Sequence, residues 1–217
     1  MSRVQAVVDH LAKQRLIDAA LEQFDDRGYR ATSIRQIAAR AGCTARGFYE
    51  HFRSKRAILL EIIDATYAAA SAEVEAAVAL AGDDPASRLE AAVWAQCEFQ
   101  MRFQRACRVA HTELPNLERD DRERLLAKRV RLAQITHEII CDGAASGVFD
   151  VSEPEATTRA LTTICGALGS SYDPGGHQVP RQIAQAHCEL AARLAGVEVA
   201  PAPPVRLVAA LGERRTA

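Results

Sequence analysis

The chain has 217 residues, of which 48% are hydrophobic and only 5% aromatic, and its formal net charge is −1. This length is enough for a sizeable core, and the composition favours packed helices over sheets, which prefer β-branched and aromatic residues. No apolar run approaches the roughly 18–20 residues of a membrane span, and residues 1–10 lack the apolar core of a signal peptide. We therefore expect a cytoplasmic protein with no membrane partner.

Charge is divided unevenly along the chain. Residues 1–56 hold 11 Lys and Arg against 6 Asp and Glu, a net charge of +5, whereas the remainder holds 16 against 22, a net charge of −6. A basic N-terminal segment on an acidic body indicates a polyanionic partner for that segment alone.

Three helices are predicted in the basic segment. The first is expected over about 10–27, after frayed residues 1–9, and Gly28 follows it where a left-handed cap residue belongs. Ser33 and Gln36 form the S-x-x-Q pattern of a capping box at the start of a short second helix. Thr44 is placed to cap the third.

The rest of the chain is also expected to be helical. Breaks are indicated by Ser54 as a cap, by the turns 82–85 and 173–176, and by Pro115. No segment shows the sustained alternation of a strand, so we predict an all-α fold of about nine helices. The expected divisions are an N-terminal helical unit over 10–56, a larger helical body over 57–195, and a loose tail over 196–217.

Residues 33–52 have the organisation of a helix-turn-helix motif, with two short helices joined by a three-residue turn that contains Gly42. In this motif the second helix enters the major groove by its N-terminal residues, which must be small or polar, as Thr44–Gly47 are. Basic groups stand beside it at Arg35, His51, Arg53, Lys55 and Arg56. A plain helical hairpin with a solvated surface explains each feature singly, and the DNA-binding interpretation depends on their coincidence within about 25 residues.

The block FYEHFRSK, residues 48–55, and its distance from Gly28 are specific. On these features the segment from Arg15 to Ile63 resembles the N-terminal domain of the TetR family of bacterial repressors. The resemblance implies a homodimer of about nine-helix chains, in which 10–56 is the helix-turn-helix DNA-binding domain and 57–195 is the ligand-binding and dimerisation domain. It also implies two recognition helices in successive major grooves of a pseudo-palindromic, double-stranded DNA operator.

The same resemblance implies DNA contacts residue by residue. Phosphate or groove-edge contacts would come from Thr32, Ser33, Arg35, Tyr49, His51 and Lys55. The base-facing positions would be Ala45, Arg46 and Gly47, and Thr44 beside them completes the DNA-binding start of the third helix. Two departures from the family pattern are Cys43, in place of the usual valine, and Arg46, where many members have glycine.

The C-terminal part has no catalytic constellation, so no enzyme activity, cofactor or metal is expected. It lacks a glycine-rich phosphate loop and a G-x-S-x-G elbow. His111 and Glu113 lie two apart on a predicted helix, so they face different ways and cannot chelate one metal together. The six cysteines include no C-x-x-C pair and are expected to behave as small buried hydrophobes.

A weaker resemblance extends into this part. The segments 106–132, 143–151 and 170–176 resemble TetR members that control fatty-acid and steroid degradation and respond to acyl-CoA thioesters. It implies an acyl tunnel lined by Phe99 and Phe103, and CoA phosphates beside Arg102, Arg105, Arg108 and Arg119. Taken singly, each arginine is better interpreted as solvated surface and each phenylalanine as core.

Dimerisation is expected through the last two helices, because Cys165, Gly166, Ala167 and Gly169 are small enough for helices to approach closely. The function favoured is a repressor released from DNA by a small-molecule inducer, with an acyl-CoA thioester as the specific candidate. A multidrug-responsive repressor is one alternative, although the low aromatic content argues against it. A helix-turn-helix activator or architectural protein with a protein partner is the other.

Overall fold

The computed structural model describes residues 3–177 and 179–197, and these residues form nine α-helices and no strand, so the predicted all-α fold is confirmed. No helix in this part of the chain is both long and apolar enough to cross a bilayer. The helices are α1 (Arg3–Arg27), α2 (Ile34–Arg40), α3 (Ala45–His51), α4 (Lys55–Leu80), α5 (Pro85–Arg102), α6 (Gln104–Glu113), α7 (Arg119–Ala145), α8 (Pro154–Ser171) and α9 (Pro180–Leu194).

Two boundaries differ from the sequence-based expectation. Helix α1 begins at Arg3, so residues 3–9 extend the helix instead of fraying. Helix α5 is expected to reach about residue 105 but ends at Arg102. Its cap residue Phe103 has a φ of −109° and a ψ of 34°, outside the helical region, and no glycine or proline marks this break in the sequence. Most of the tail expected over 196–217 lies outside the described residues.

Side-chain caps fix the starts of the short helices, as the sequence predicts. The Ser33 hydroxyl accepts from the Gln36 amide at 3.3 Å, and the Ser33 amide donates to Gln36 Oε1 at 2.8 Å, which completes the capping box. Ser54 accepts from the amide of Ala57 at 3.0 Å at the start of α4. Each cap satisfies an amide that has no partner within its helix, which contributes about 1 kcal/mol.

The buried side chains form two clusters, one around α1–α3 and one in the body of the molecule. The first, which we call the head core, also contains the first half of α4, from Ile58 to Tyr67. It is completed by residues far along the chain: Val109, Ala110, Leu114 and Leu125. The apolar packing of the N-terminal domain therefore extends well past residue 56, into α4, α6 and α7.

Candidate DNA-binding surface and ligand cavity

The turn between α2 and α3 has the geometry that a helix-turn-helix requires. Gly42 adopts a φ of +72°, which favours glycine, and the amide of Cys43 donates to the carbonyl of Ala38 at 2.9 Å. Thr44 then caps α3 by accepting from the amide of Gly47 at 3.2 Å. The N-terminal end of α3 is thereby fixed relative to α2.

Most of the predicted DNA-contacting residues lie at the surface. Arg46 is the clearest case, since its side chain is 93% exposed and its one acidic neighbour, Glu50, is 3.9 Å away. Arg35 makes no ion pair with any described residue. The other accessible positions are Ser33, Thr44 and Tyr49, which are exposed, and Ala45, Gly47 and His51, which are half-buried. Cationic and small side chains on α2 and α3 are thus available to a polyanion, and their individual contacts stay predictions.

Two of the predicted phosphate contacts have a different position in the structure. Thr32 is 2% exposed, and its hydroxyl donates to the carbonyls of Gln23 and Gly28 at 3.0 and 2.9 Å. The Lys55 ammonium donates to the carbonyls of Tyr29 and Thr32 at 2.7 and 2.5 Å, and burial lowers its pKa. Both side chains are held by carbonyls in the last turns of α1 and in the segment that follows it, so the geometry does not support phosphate contacts by them.

A carboxylate at the end of α1 joins the N-terminal domain to α6. Asp25, whose side chain is 4% exposed, accepts from Arg108 Nε at 2.5 Å and Nη2 at 2.6 Å, and this raises the pKa of Arg108. Arg105 lies 3.5 Å from the same carboxylate. Nearby, the Tyr29 amide donates to Glu113 at 3.3 Å. The two arginines expected at CoA phosphates are therefore engaged with α1.

The remaining arginines of that expectation also lie elsewhere. Arg102 pairs with Glu73 and stands over the ring of Phe103, which is partly exposed. Arg119 pairs with Glu123 at 2.8 Å, one turn further along α7. Of the residues named for an acyl tunnel, Phe99 lines the cavity described next, and Phe103 does not.

A cavity of about 680 Å³ lies among helices α4 to α8. Its floor is formed by side chains that are at most 5% exposed: Tyr67, Phe99, Gln100 and Cys107. Its mouth is formed by exposed residues of α7 and α8: Arg129, Val130, Thr163, Ala167 and Ser170. The cavity therefore opens between α7 and α8 and reaches into the middle of the bundle, and its size suits a small organic molecule.

The cavity is not uniformly apolar. The Tyr67 hydroxyl and Gln100 Oε1 are buried in it without a hydrogen-bond partner in the described structure, and burial raises the pKa of Tyr67 to about 12. Burial also lowers the pKa of His111, and the nearby Arg129 guanidinium adds to this effect. Sequence reasoning missed these four residues, because Arg129 stands among many α7 arginines and the others have no motif.

The small residues expected at a dimer interface mostly face inward. Cys165 is 1% exposed, and a side chain on Gly169 would begin 2.7 Å from Gln100 Oε1. Of the four, Ala167 alone is exposed. Large apolar side chains are instead exposed on α9 at Leu190 and Leu194, 36% and 38% respectively, one turn apart. An interface through α9 would bury these leucines.

Comparison with known proteins agrees with this architecture. The chain matches the family model "Bacterial regulatory proteins, tetR family" over residues 16–62 and the model "Tetracyclin repressor-like, C-terminal domain" over residues 82–195. The curated relatives found match over short segments of 48–63 residues, which are 22–29% of this chain. The repressor KstR2 of Rhodococcus jostii is 41% identical over 51 residues, which cover 24% of this chain and 25% of that protein. The first relatives found are matched over only 17–30% of their length.

Solved structures match over most of the chain. A tetR-family regulatory protein from Rhodococcus RHA1 superposes with a TM-score of 0.81 at 26% identity, covering 92% of this chain and all of that one. AibR, solved in complex with isovaleryl coenzyme A and operator DNA, superposes with a TM-score of 0.75 at 20% identity, covering 82% and 97%. The two family models together span the helix-turn-helix and the cavity-bearing body, and the chain belongs to the TetR family of bacterial regulatory proteins.

Proposed function

We propose that this chain is a homodimeric transcriptional repressor that leaves a pseudo-palindromic operator when a small molecule occupies the cavity. The position of α6 carries the proposal. Cys107 and His111 of α6 line the cavity, whereas Arg105 and Arg108 of the same helix contact Asp25 of α1. One ten-residue helix therefore touches both the ligand space and the DNA-binding domain.

Operator binding follows from the exposed start of α3. Arg46 is free to reach a base edge, and a good bidentate contact discriminates between bases by about 1–3 kcal/mol. A single domain with so few basic side chains neutralises few phosphates and binds weakly. Two copies, related by a twofold axis and set one helical turn of DNA apart, overcome this weakness. The exposed leucines of α9 supply an apolar surface for such pairing.

Release from DNA requires that the ligand favour one arrangement of α6 over another. A molecule that contacts Cys107 and His111 binds most tightly to the position of α6 that best fits it. A shift of α6 to that position would also move the end of α1, because Arg108 of α6 is paired with Asp25. The ligand shifts the population by its difference in affinity for the two arrangements. A hundredfold loss of operator affinity needs about 2.7 kcal/mol of such coupling.

An acyl-CoA thioester is the inducer candidate for a first test, since AibR, a structural neighbour, was solved with isovaleryl coenzyme A. Within this chain, support comes from Phe99 in the floor and Arg129 in the mouth. Arg102, Arg105 and Arg108 no longer support it, because they pair with carboxylates away from the cavity.

The experiment begins with selection of operator sequences from random duplex DNA by the full chain. Fluorescence anisotropy then measures affinity for the selected DNA at several salt concentrations, and sedimentation measures the mass of the free protein. We expect a dimer of 23.6 kDa chains and operator affinity that falls steeply with salt. Acyl-CoAs of several chain lengths are titrated into the complex, with free CoA and free acids as controls.

A monomer at micromolar concentration, or the absence of any selected sequence, would refute the repressor proposal. Release from DNA by a cationic dye, but by no thioester or acid, would reject the acyl-CoA candidate and favour a multidrug-responsive repressor.

A further inference from the structure

The floor of the cavity holds two polar groups that nothing in the described structure satisfies. Tyr67 and Gln100 are each 5% exposed, and the Tyr67 hydroxyl and Gln100 Oε1 have no hydrogen-bond partner there. Both line the cavity together with Cys107, and Gln100 Oε1 and Cys107 Cβ lie 2.7 and 3.0 Å from the point where a Gly169 side chain would begin. Buried polar groups without partners are costly, so they are normally paired when a site is filled.

The two groups require different hydrogen-bonding partners from a ligand. An amide oxygen only accepts hydrogen bonds, whereas a phenol hydroxyl can donate. A carbonyl oxygen on a ligand satisfies Tyr67 and leaves Gln100 Oε1 without a donor. An alcohol hydroxyl does both, because it accepts from Tyr67 and donates to Gln100.

The mouth of the cavity holds an arginine that has no acidic partner in the described part of the chain. On the same helix, Arg124 and Lys128 share Asp64 at 2.9 and 2.6 Å, and Arg131 pairs with Glu75 at 2.9 Å. Arg129 makes no ion pair or hydrogen bond with the residues of 3–177 and 179–197. It lines the cavity together with His111, and its guanidinium adds to the lowering of the His111 pKa that burial causes. A guanidinium in this position favours an anionic group on the ligand.

Apolar surface joins these two polar ends. The lining between floor and mouth includes Ala70, Phe99, Leu126, Leu132 and Ala133. A hydrocarbon chain fits this stretch, since the burial of each methylene against apolar side chains is favourable.

We propose that the cavity binds an amphipathic anion whose hydrocarbon chain carries a hydroxyl group, with the hydroxyl between Tyr67 and Gln100 and the anionic head at Arg129. This assignment rests on the proposed function, in which the cavity is the inducer site. A free hydroxy acid and its CoA thioester share the chemistry, the anion being a carboxylate in one and phosphates in the other.

The test uses the full chain and isothermal titration with ω-hydroxy fatty acids of 8 to 16 carbons. Matched probes are the unsubstituted acids, the α,ω-diols without an acid, and the CoA thioester of the best hydroxy acid. We expect the hydroxy acid of the right length to bind about tenfold more tightly than the unsubstituted acid, as one added hydrogen-bonded group allows. Comparing acid and thioester decides between the two sources.

Three variants locate the contacts. Tyr67→Phe should abolish the preference for the hydroxy acid and leave the affinity for the unsubstituted acid unchanged. Arg129→Gln should weaken both acids about tenfold and leave the diol unaffected. Arg122→Gln is the matched control, because Arg122 lies two helical turns earlier on α7 and outside the cavity lining.

Equal affinity of wild-type protein for acids with and without the hydroxyl would overturn the proposal. So would equal effects of the Arg129 and Arg122 variants, or no binding of any hydroxy acid or thioester in the series. The operator assay separates this result from the fate of the repressor proposal. If a hydroxy acid binds but does not release the protein from DNA, the ligand assignment stands and the repressor mechanism is rejected. If only chemically unrelated compounds release the protein from DNA, the repressor mechanism stands and the ligand assignment is rejected.

Discussion

Replacement of Asp25 by asparagine tests the link between the DNA-binding domain and α6. The substitution keeps the size of the side chain and removes its charge, so the two close contacts with Arg108 lose their ionic component. The new amide group also turns a donor toward a guanidinium that can only donate. Arg105, at 3.5 Å, loses the same partner.

The expected loss of stability follows from the burial of the two partners. The Asp25 side chain is 4% exposed, whereas that of Arg108 is 34% exposed and regains some hydration when unpaired. Charge-assisted hydrogen bonds contribute about 1.5–3 kcal/mol when buried, and partial exposure of the arginine reduces this, so we expect a loss of about 2 kcal/mol. For a chain of this size that corresponds to a Tm lower by about 4–8 °C.

Thermal unfolding followed by circular dichroism, at fixed protein concentration, measures the change. Asp26→Asn is the control, since Asp26 is the next residue, is exposed and makes no hydrogen bond or ion pair in the described structure. In the operator assay, the Asp25 variant should also show a smaller ratio of DNA affinities with and without inducer. Equal Tm values for the two variants would refute this account of the α1–α6 contact.

Three further predictions follow from the same structure. Lys55→Ala should lower the free energy of unfolding by about 1–3 kcal/mol in urea titrations without changing base preference. Arg46→Ala should relax base preference at unchanged stability, and the opposite pattern would contradict a structural role for Lys55 and a base contact by Arg46. The lowered pKa of His111 favours its neutral form in the folded state, so the free energy of unfolding should fall as the pH drops below about 6.5. Urea titrations at several pH values should show a weaker pH dependence for His111→Gln. Gly169→Ala should lower the free energy of unfolding by about 1–3 kcal/mol through overpacking, because the added side chain would begin 2.7 Å from a buried amide oxygen. Gly166→Ala on the same helix is the control: its nearest neighbour is 3.8 Å away, so its Tm should not fall in the same way.

Local signals in the sequence predicted the helices and the turn of the motif. Ser33 with Gln36, Thr44 and Gly42 act within three or four residues, where chain geometry alone brings the partners together. The start of α1 and the end of α5 were misplaced by a few residues. The spacing of Val4, Val7 and Val8 is already helical and was overlooked, whereas no breaking residue marks the end of α5.

The functional contacts depend on partners that are remote in sequence. Arg108 meets Asp25 across 83 positions, and Lys55 meets the carbonyl of Tyr29 across 26. An arginine near a predicted cavity and an arginine held by a distant carboxylate look the same in a sequence. Arg129 was overlooked for the converse reason, since only the three-dimensional arrangement separates it from the paired basic residues around it.

The composition of the head core limits how freely this DNA-binding domain can be exchanged between proteins. Its apolar faces are closed by Val109, Ala110, Leu114 and Leu125, which follow the helix-turn-helix by some fifty to seventy residues in sequence. These residues lie on or between α6 and α7, two of the helices that line the cavity. In a chimera joined near residue 56, the side of the head core that contains Phe24, Ile37 and Phe48 would lose its native packing partners from α6 and α7. Residues of the other protein would have to take their place. Transfer of operator specificity to another sensor therefore requires grafting of surface residues on α2 and α3, and not transplantation of the whole segment.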